Sequence, residues 1–194
     1  MFLPRMFSSN TYLLHGSENA LIDPGCNDSP SLVKALAEFG VKLKDVSRVY
    51  YTHMHFDHIG LGYLFPDAEH WMHESDAIQV NKRNDDATYA YSAKEFKYPK
   101  ITNFLTGGER IKVNDLRLEA LHASGHTAGS TCFLERKEKL LFSGDVLFPN
   151  WNIGRWDLYS GNQEQQLKTV EEMRKLPWTT LLPGHEMLEK REFK

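Results

Sequence analysis

Apolar and polar residues change rhythm several times along the chain, and each change predicts an element. Two short apolar runs, 11–14 (Thr-Tyr-Leu-Leu) and 20–22 (Ala-Leu-Ile), flank the polar turn 15–19 and read as two early strands. The second closes on Asp23-Pro24-Gly25, a sharp exit that leaves Asp23 at the strand's C-terminal edge. The spacing then lengthens to that of a helix. Leu32, Val33, Leu36 and Phe39 give one apolar face, Ser29 as N-cap and Pro30 suit its start, and Gly40 lies beyond its last turn. The apolar run 46–51 predicts a buried strand, so strand, helix and strand follow in the order of a crossover unit.

Residues 68–73 read as another strand and 74–80 as a short helix. The stretch 81–103 is different: polar and charged, with Tyr89, Tyr91, Phe96 and Tyr98 among lysines and aspartates. No alternation there suits a strand, so it reads as loop with helical pieces. It is either a lid or substrate loop, or a surface excursion whose aromatics pack onto the body. Short strands return at 110–113, 116–122, 130–134 and 139–142, with turns at Asn114-Asp115 and 135–138. A last helix starts at Asn162, a capping residue with Gln165 three positions on. Leu167, Val170, Met173 and Arg174 set its repeat, and Pro177 ends it. A final strand, 179–182, runs into Pro183-Gly184-His185.

Composition narrows the class without naming it. The chain has 194 residues with 41% hydrophobic content, enough for one α/β domain and little more. A net charge of -3 predicts no general affinity for nucleic acid or an anionic membrane. The lysines between Lys94 and Lys100 are interrupted by Glu95 and read as a solvated face. Residues 1–7 are too short and broken for a signal, and no run approaches the ~20 apolar residues of a membrane span. With only Cys26 and Cys132, far apart, the expectation is a soluble, cytoplasmic protein with free thiols. Four tryptophans and the aromatic stretch leave room for a homodimer.

Candidate chemistry gathers where the strand 46–51 ends, in Thr52-His53-Met54-His55-Phe56-Asp57-His58. In extended chain His53, His55 and Asp57 share a face; if the chain turns helical after His55, His58 need not follow that alternation. Neutral imidazole and carboxylate suit zinc, iron and manganese. His126 in Ser124-Gly125-His126-Thr127, Asp145 in Ser143-Gly144-Asp145 and His185 in Pro183-Gly184-His185 each follow a glycine near a strand end. Such a glycine lets the backbone turn and carry a ligand to a shared centre. Seven candidates are too many for one tetrahedral ion, and the set suits two ions sharing a carboxylate.

The spacing His53-x-His55-x-Asp57-His58, followed by Gly-His126-Thr, Gly-Asp145 and Gly-His185, resembles the metallo-β-lactamase superfamily along the whole chain. The resemblance implies a four-layer αβ/βα sandwich, two mixed sheets face to face with helices outside and the metals at one edge. It implies His53, His55 and His126 on a first ion, Asp57, His58 and His185 on a second, and Asp145 bridging them. An aspartate there, instead of the cysteine of the best-known zinc β-lactamases, admits zinc, iron or manganese, with zinc the first expectation. Gly144-Asp145-Val146-Leu147-Phe148 and Gly154-Arg155-Trp156-Asp157 are similar to glyoxalase II-like thioesterases.

That resemblance implies a hydrolase in which two divalent ions hold a bridging hydroxide that attacks a small ester, thioester or lactone. Asp57 would orient the nucleophile or carry its proton. Asp23 is an acceptor for a ligand imidazole or simply a turn residue. Arg155 is expected to form a structural ion pair with Asp157, the alternative being a substrate contact. His15, His70, His73 and His122 match no ligand position and read as structural. Glyoxalase II carries a C-terminal helical domain that supplies much of its glutathione site, whereas this sequence stops nine residues after His185. The expectation is either a substrate other than a glutathione thioester or its recognition by 81–103 or a partner subunit, so the substrate name does not transfer. The same motif also resembles mononuclear iron persulfide dioxygenases and, more distantly, phosphodiesterases and nucleases.

Overall fold

The structure is a computed structural model that describes residues 8–26, 28–93 and 95–191. The expectations for residues 1–7 and for Lys94 lie outside those residues. The first half runs β1 (Tyr12–Leu14), β2 (Asn19–Ile22), α1 (Ser29–Glu38), β3 (Val46–Tyr50), α2 (Phe56–Ile59), β4 (Glu69–His73), α3 (Glu74–Asn81), α4 (Asp85–Thr88) and β5 (Asn103–Leu105). Its five strands form one sheet in sequence order; β1 and β2 are antiparallel and the later pairs parallel. The second half contributes β6 (Arg110–Val113), β7 (Leu116–His122), β8 (Thr131–Glu135), β9 (Leu140–Gly144), α5 (Gln163–Arg174), β10 (Thr180–Pro183) and β11 (Glu189–Lys190). These strands form a six-stranded sheet, order β11-β10-β9-β8-β7-β6, in which only β9 and β10 are parallel.

Strand alternation builds the layers. Ala20, Ile22 and Tyr50 point inward to Phe133, Phe142 and Leu118 of the facing sheet, whereas Leu21 and Val49 point outward to Leu32 and Leu36 of α1. On the other sheet Phe133 and Phe142 face in, while Leu134, Leu141 and Leu181 face out to Val170 and Met173 of α5. Because successive side chains alternate, strands apolar on both faces need cover on both, and two such sheets with helices outside give four layers. Among the described residues no helix is long and apolar enough to cross a membrane.

Several details differ from the sequence reading. Asp28, not Ser29, caps α1: its carboxylate accepts the Ser31 N–H at 3.1 Å, and Ser29 is already helical. Only Leu32 and Leu36 of α1 are buried; Val33 is rotated off that stripe and Phe39 lies past the helix end, against the His15 ring. In α5 Asn162 does cap, accepting the Gln165 N–H at 2.9 Å. The buried stripe is Gln166, Thr169, Val170 and Met173, leaving Leu167 exposed, because two polar side chains find partners inside. The strands β5 and β11, three and two residues long, carry too little alternation to be seen in sequence.

Candidate metal centre

The cluster sits where β3, β7, β9 and β10 deliver their following loops to one edge of the sandwich. After β3 the chain stays extended to His55 (φ -66, ψ 145) and then enters α2. His53 and His55 therefore leave from extended backbone, and Asp57 and His58 from a helical turn. The extended alternation does not reach Asp57. Gly184 is needed for close approach: a Cβ there would lie 2.2 Å from Asp145 Oδ1 and 2.7 Å from His58 Cε1. Gly125 adopts φ 141 and abuts the Gln166 backbone, so no larger residue fits before His126. Gln166 donates to the Val146 carbonyl at 2.9 Å and Thr169 to the Ser124 carbonyl at 2.7 Å. The buried polar stripe of α5 thus braces the loops of both Asp145 and His126.

All seven predicted residues come together, in three overlapping groups whose ligand atoms lie within 4.8 Å of one another: His53, His55 and His126; His53, His58 and Asp145; Asp57, His58 and His185. In the first, His126 Nε2 lies 3.2 Å from His53 Nε2 and 3.0 Å from His55 Nδ1, and His53 Nε2 lies 3.0 Å from His55 Nδ1. His126 Nδ1 donates to the Arg155 carbonyl at 2.7 Å, which leaves its Nε2 lone pair facing the group. Burial pushes all three imidazoles below their ordinary pKa, His55 to about 3. They are neutral and donor-ready.

The other half is charged. Burial opposes a proton on His58, yet Asp145, Asp23 and Asp57 together raise it well above the ordinary range. His185 is likewise resisted by burial and raised by Asp57 (3.1 Å) and Asp145 (3.5 Å). Burial resists ionisation of Asp57 and Asp145, but His58 and His185 hold both carboxyls low. Protons on these two histidines balance the two carboxylates here. His58 Nε2 and Asp145 Oδ1 are buried and face each other as an ion pair at 3.2 Å, outside hydrogen-bond geometry and with no other hydrogen-bond partner. Converging imidazole lone pairs and orphaned donor atoms fit divalent cations.

Asp23 is an acceptor as well as a turn residue. Its Oδ2 accepts from His58 Nδ1 at 2.8 Å and from Thr52 Oγ1 at 2.6 Å, and its Oδ1 accepts the Thr52 N–H at 2.8 Å. It thereby turns His58 Nε2 toward Asp145. Arg155 and Asp157 form the expected pair through two 2.8 Å bonds, both exposed. His70 bonds Tyr51 Oη and the Phe65 carbonyl, and His73 stacks on His122 with centroids 4.0 Å apart, away from the cluster. Cys26 and Cys132 are both buried thiols.

One residue escaped the sequence reading. Asp76 of α3 is fully buried, and its carboxylate accepts the Met54 N–H at 3.0 Å, the Thr127 hydroxyl at 2.7 Å and the Gly129 N–H at 2.8 Å. It ties the backbone between His53 and His55 to the loop after His126. The available signal was a carboxylate on the same buried stripe as Ala77 and Val80. The mouth of the cluster is a cleft of about 480 Å³ lined by His55, Phe56, Asp57, Tyr89, Tyr91, His126, Asp145, Arg155 and Leu158, so part of 81–103 does face the site.

The sequence profile of the metallo-beta-lactamase superfamily matches residues 4–185. The chain belongs to that superfamily. Among its relatives, hydroxyacylglutathione hydrolase GloC of Haemophilus influenzae is 30% identical over 190 residues, covering 91% of this chain and 81% of that protein. Acyl-coenzyme A thioesterase MBLAC2 of Homo sapiens is 29% identical over 206 residues, covering 91% and 72%. The crystal structure of TTHA1623 in a di-iron-bound form superposes with a TM-score of 0.79 at 25% identity, covering 97% of this chain and 93% of that one. This metallo-beta-lactamase chain is thus similar to metal-dependent hydrolases, thioesterases among them.

Proposed function

We propose that the chain is a dinuclear metal-dependent hydrolase of small esters, thioesters or lactones. The observation that carries this reading is the set of three overlapping ligand groups within 4.8 Å, with buried imidazole and carboxylate atoms left unbonded. His53, His55 and His126 would hold one divalent ion, Asp57, His58 and His185 the other, and Asp145 would serve both. Bound there, two such ions supply Lewis acidity and make water a nucleophile near neutral pH.

The chain's own groups do the rest. Water adds its oxygen to the acyl carbon, the bond to sulfur or oxygen breaks, and the products are a carboxylic acid and a thiol or alcohol. Asp57 Oδ2, 3.1 Å from His185 Nε2 on the less buried side of the cluster, would take the proton from water and return it to the leaving group. Asp23 and the Arg155 carbonyl fix the rings of His58 and His126. The relatives' names, a hydroxyacylglutathione hydrolase and an acyl-coenzyme A thioesterase, favour thioesters among the acyl compounds. Asp145→Ala should lose bound metal and lower turnover by about 10³-fold or more, the scale of several kcal/mol of charge stabilisation. Metal analysis and thioester assays on the same preparation check this; full metal content with full activity would end the reading.

A further inference from the structure

We propose that the cleft over the cluster selects acyl compounds whose acyl group is apolar or aromatic, with Tyr89 and Tyr91 as specificity-determining residues. The proposal rests on the hydrolase reading and adds the substrate class to it. Four of the side chains lining the cleft, Phe56, Tyr89, Tyr91 and Leu158, present carbon. The Tyr89 ring meets the His55 ring edge-on with centroids 5.3 Å apart, and Tyr91, 63% exposed, lies 5.7 Å from Tyr89. An aromatic surface therefore runs from the proposed ion position out toward solvent.

Tyr89 does not lie there by slack. Its backbone is left-handed (φ 57, ψ 24), a conformation that costs a bulky residue and that surrounding structure must hold. The hold is visible: Tyr89 Oη accepts the Tyr159 N–H at 2.9 Å, joining 81–103 to the segment that carries Arg155 and Leu158. The ring is thus fixed across the mouth.

Electrostatics points the same way. A glutathione thioester brings two carboxylates, which ask for cationic partners. Among the described lining residues the only permanent cation is Arg155, and Asp157 already holds its guanidinium through two bonds. Carbon walls with one committed arginine suit a neutral apolar acyl group and leave an anionic peptide unmatched.

The test uses the full chain loaded with zinc and a series of N-acetylcysteamine thioesters: acetyl, butyryl, hexanoyl and phenylacetyl, with lactoylglutathione for comparison. Each buried methylene should raise kcat/KM by about fourfold, so the series should climb steeply and lactoylglutathione should trail it. Tyr91→Ala, at an exposed position that leaves folding untouched, should flatten the climb; Tyr89→Ala should do so more strongly. Matching non-hydrolysable thioethers, titrated calorimetrically into the metal-depleted chain, should show the same gradient in affinity. A flat series in both assays, or lactoylglutathione turned over fastest of all, would overturn the proposal while leaving the hydrolase reading intact. A thioether gradient without hydrolysis of any thioester, or of the matching phenyl esters and lactones, would uphold the cleft assignment and remove the hydrolase reading.

Discussion

The two halves of the cluster use the same residue types to opposite electrostatic ends. Around His53, His55 and His126 burial dominates, and the imidazoles shed their protons. His58 is buried as deeply and His185 less so, and burial resists a proton on each, but Asp145 and Asp57, with Asp23 at His58, outweigh it. What a histidine offers a cation is therefore set by its neighbours rather than by its depth. A cation entering the neutral half meets free lone pairs. One entering the charged half must displace protons first.

The strongest way to break this comparison is to remove one member from each half. His53 belongs to two of the three ligand groups and is fully buried. His53→Ala should strip metal from the neutral half, weaken the other, and lower turnover by about 10³-fold or more. His185 belongs to one group and is 31% exposed, so His185→Ala should keep about one ion per chain bound to the neutral half. Metal analysis after dialysis separates the two outcomes. Equal loss from both variants would mean that the halves do not load independently.

The supports should divide the same way, with smaller effects. Asp76 braces the loops of the neutral half and Asp23 orients His58 in the charged half. Asp76→Asn should weaken loading of the first and Asp23→Asn loading of the second, each by about 10–100-fold, the usual worth of such outer contacts. Cobalt titrations followed by absorption would distinguish them, since two unequal sites fill in sequence. Weakening of the same site by both variants would contradict the division.

The smallest effect is on stability. Burial pushes the Asp76 carboxyl up to about 6, against donation from Thr127, Gly129 and Met54 that lowers it. Unfolded, the same group titrates near its ordinary value of about 4. Between those values the folded chain holds the proton more tightly, so stability is greatest below the unfolded value and falls as pH rises toward the folded one. The fall from this group is at most about 3 kcal/mol. In metal-depleted protein, urea unfolding of wild type and Asp76→Asn at pH 4 to 7 should yield a difference curve with that slope. A level difference curve would show that the three donors already offset the burial.

The sequence made the ligands legible because their chemistry is compressed: His53, His55, Asp57 and His58 lie within one short stretch, and each of the remaining three follows a glycine that the packing requires. The four layers were legible only through the resemblance that those motifs carry. Which faces the strands bury is visible in Ala20-Leu21-Ile22 only once the second sheet is known, since an all-apolar run conceals its two-residue alternation. The supports were harder to read. Asp76 is recognisable as a brace only when Met54 and Gly129 meet in space, from positions 22 and 53 residues away. Gln166 and Thr169 misled the count for α5 because a buried polar residue looks exposed until its partner is known.

The central claim is that both halves hold an ion and that the pair serves hydrolysis. The most direct test is metal content per chain in protein purified without added metal, read with thioester hydrolysis and oxygen uptake on the same sample. Two ions per chain, hydrolysis and no oxygen uptake is the expected result. One iron per chain, with oxygen consumed in the presence of a persulfide and no hydrolysis, would contradict it while leaving the fold as described.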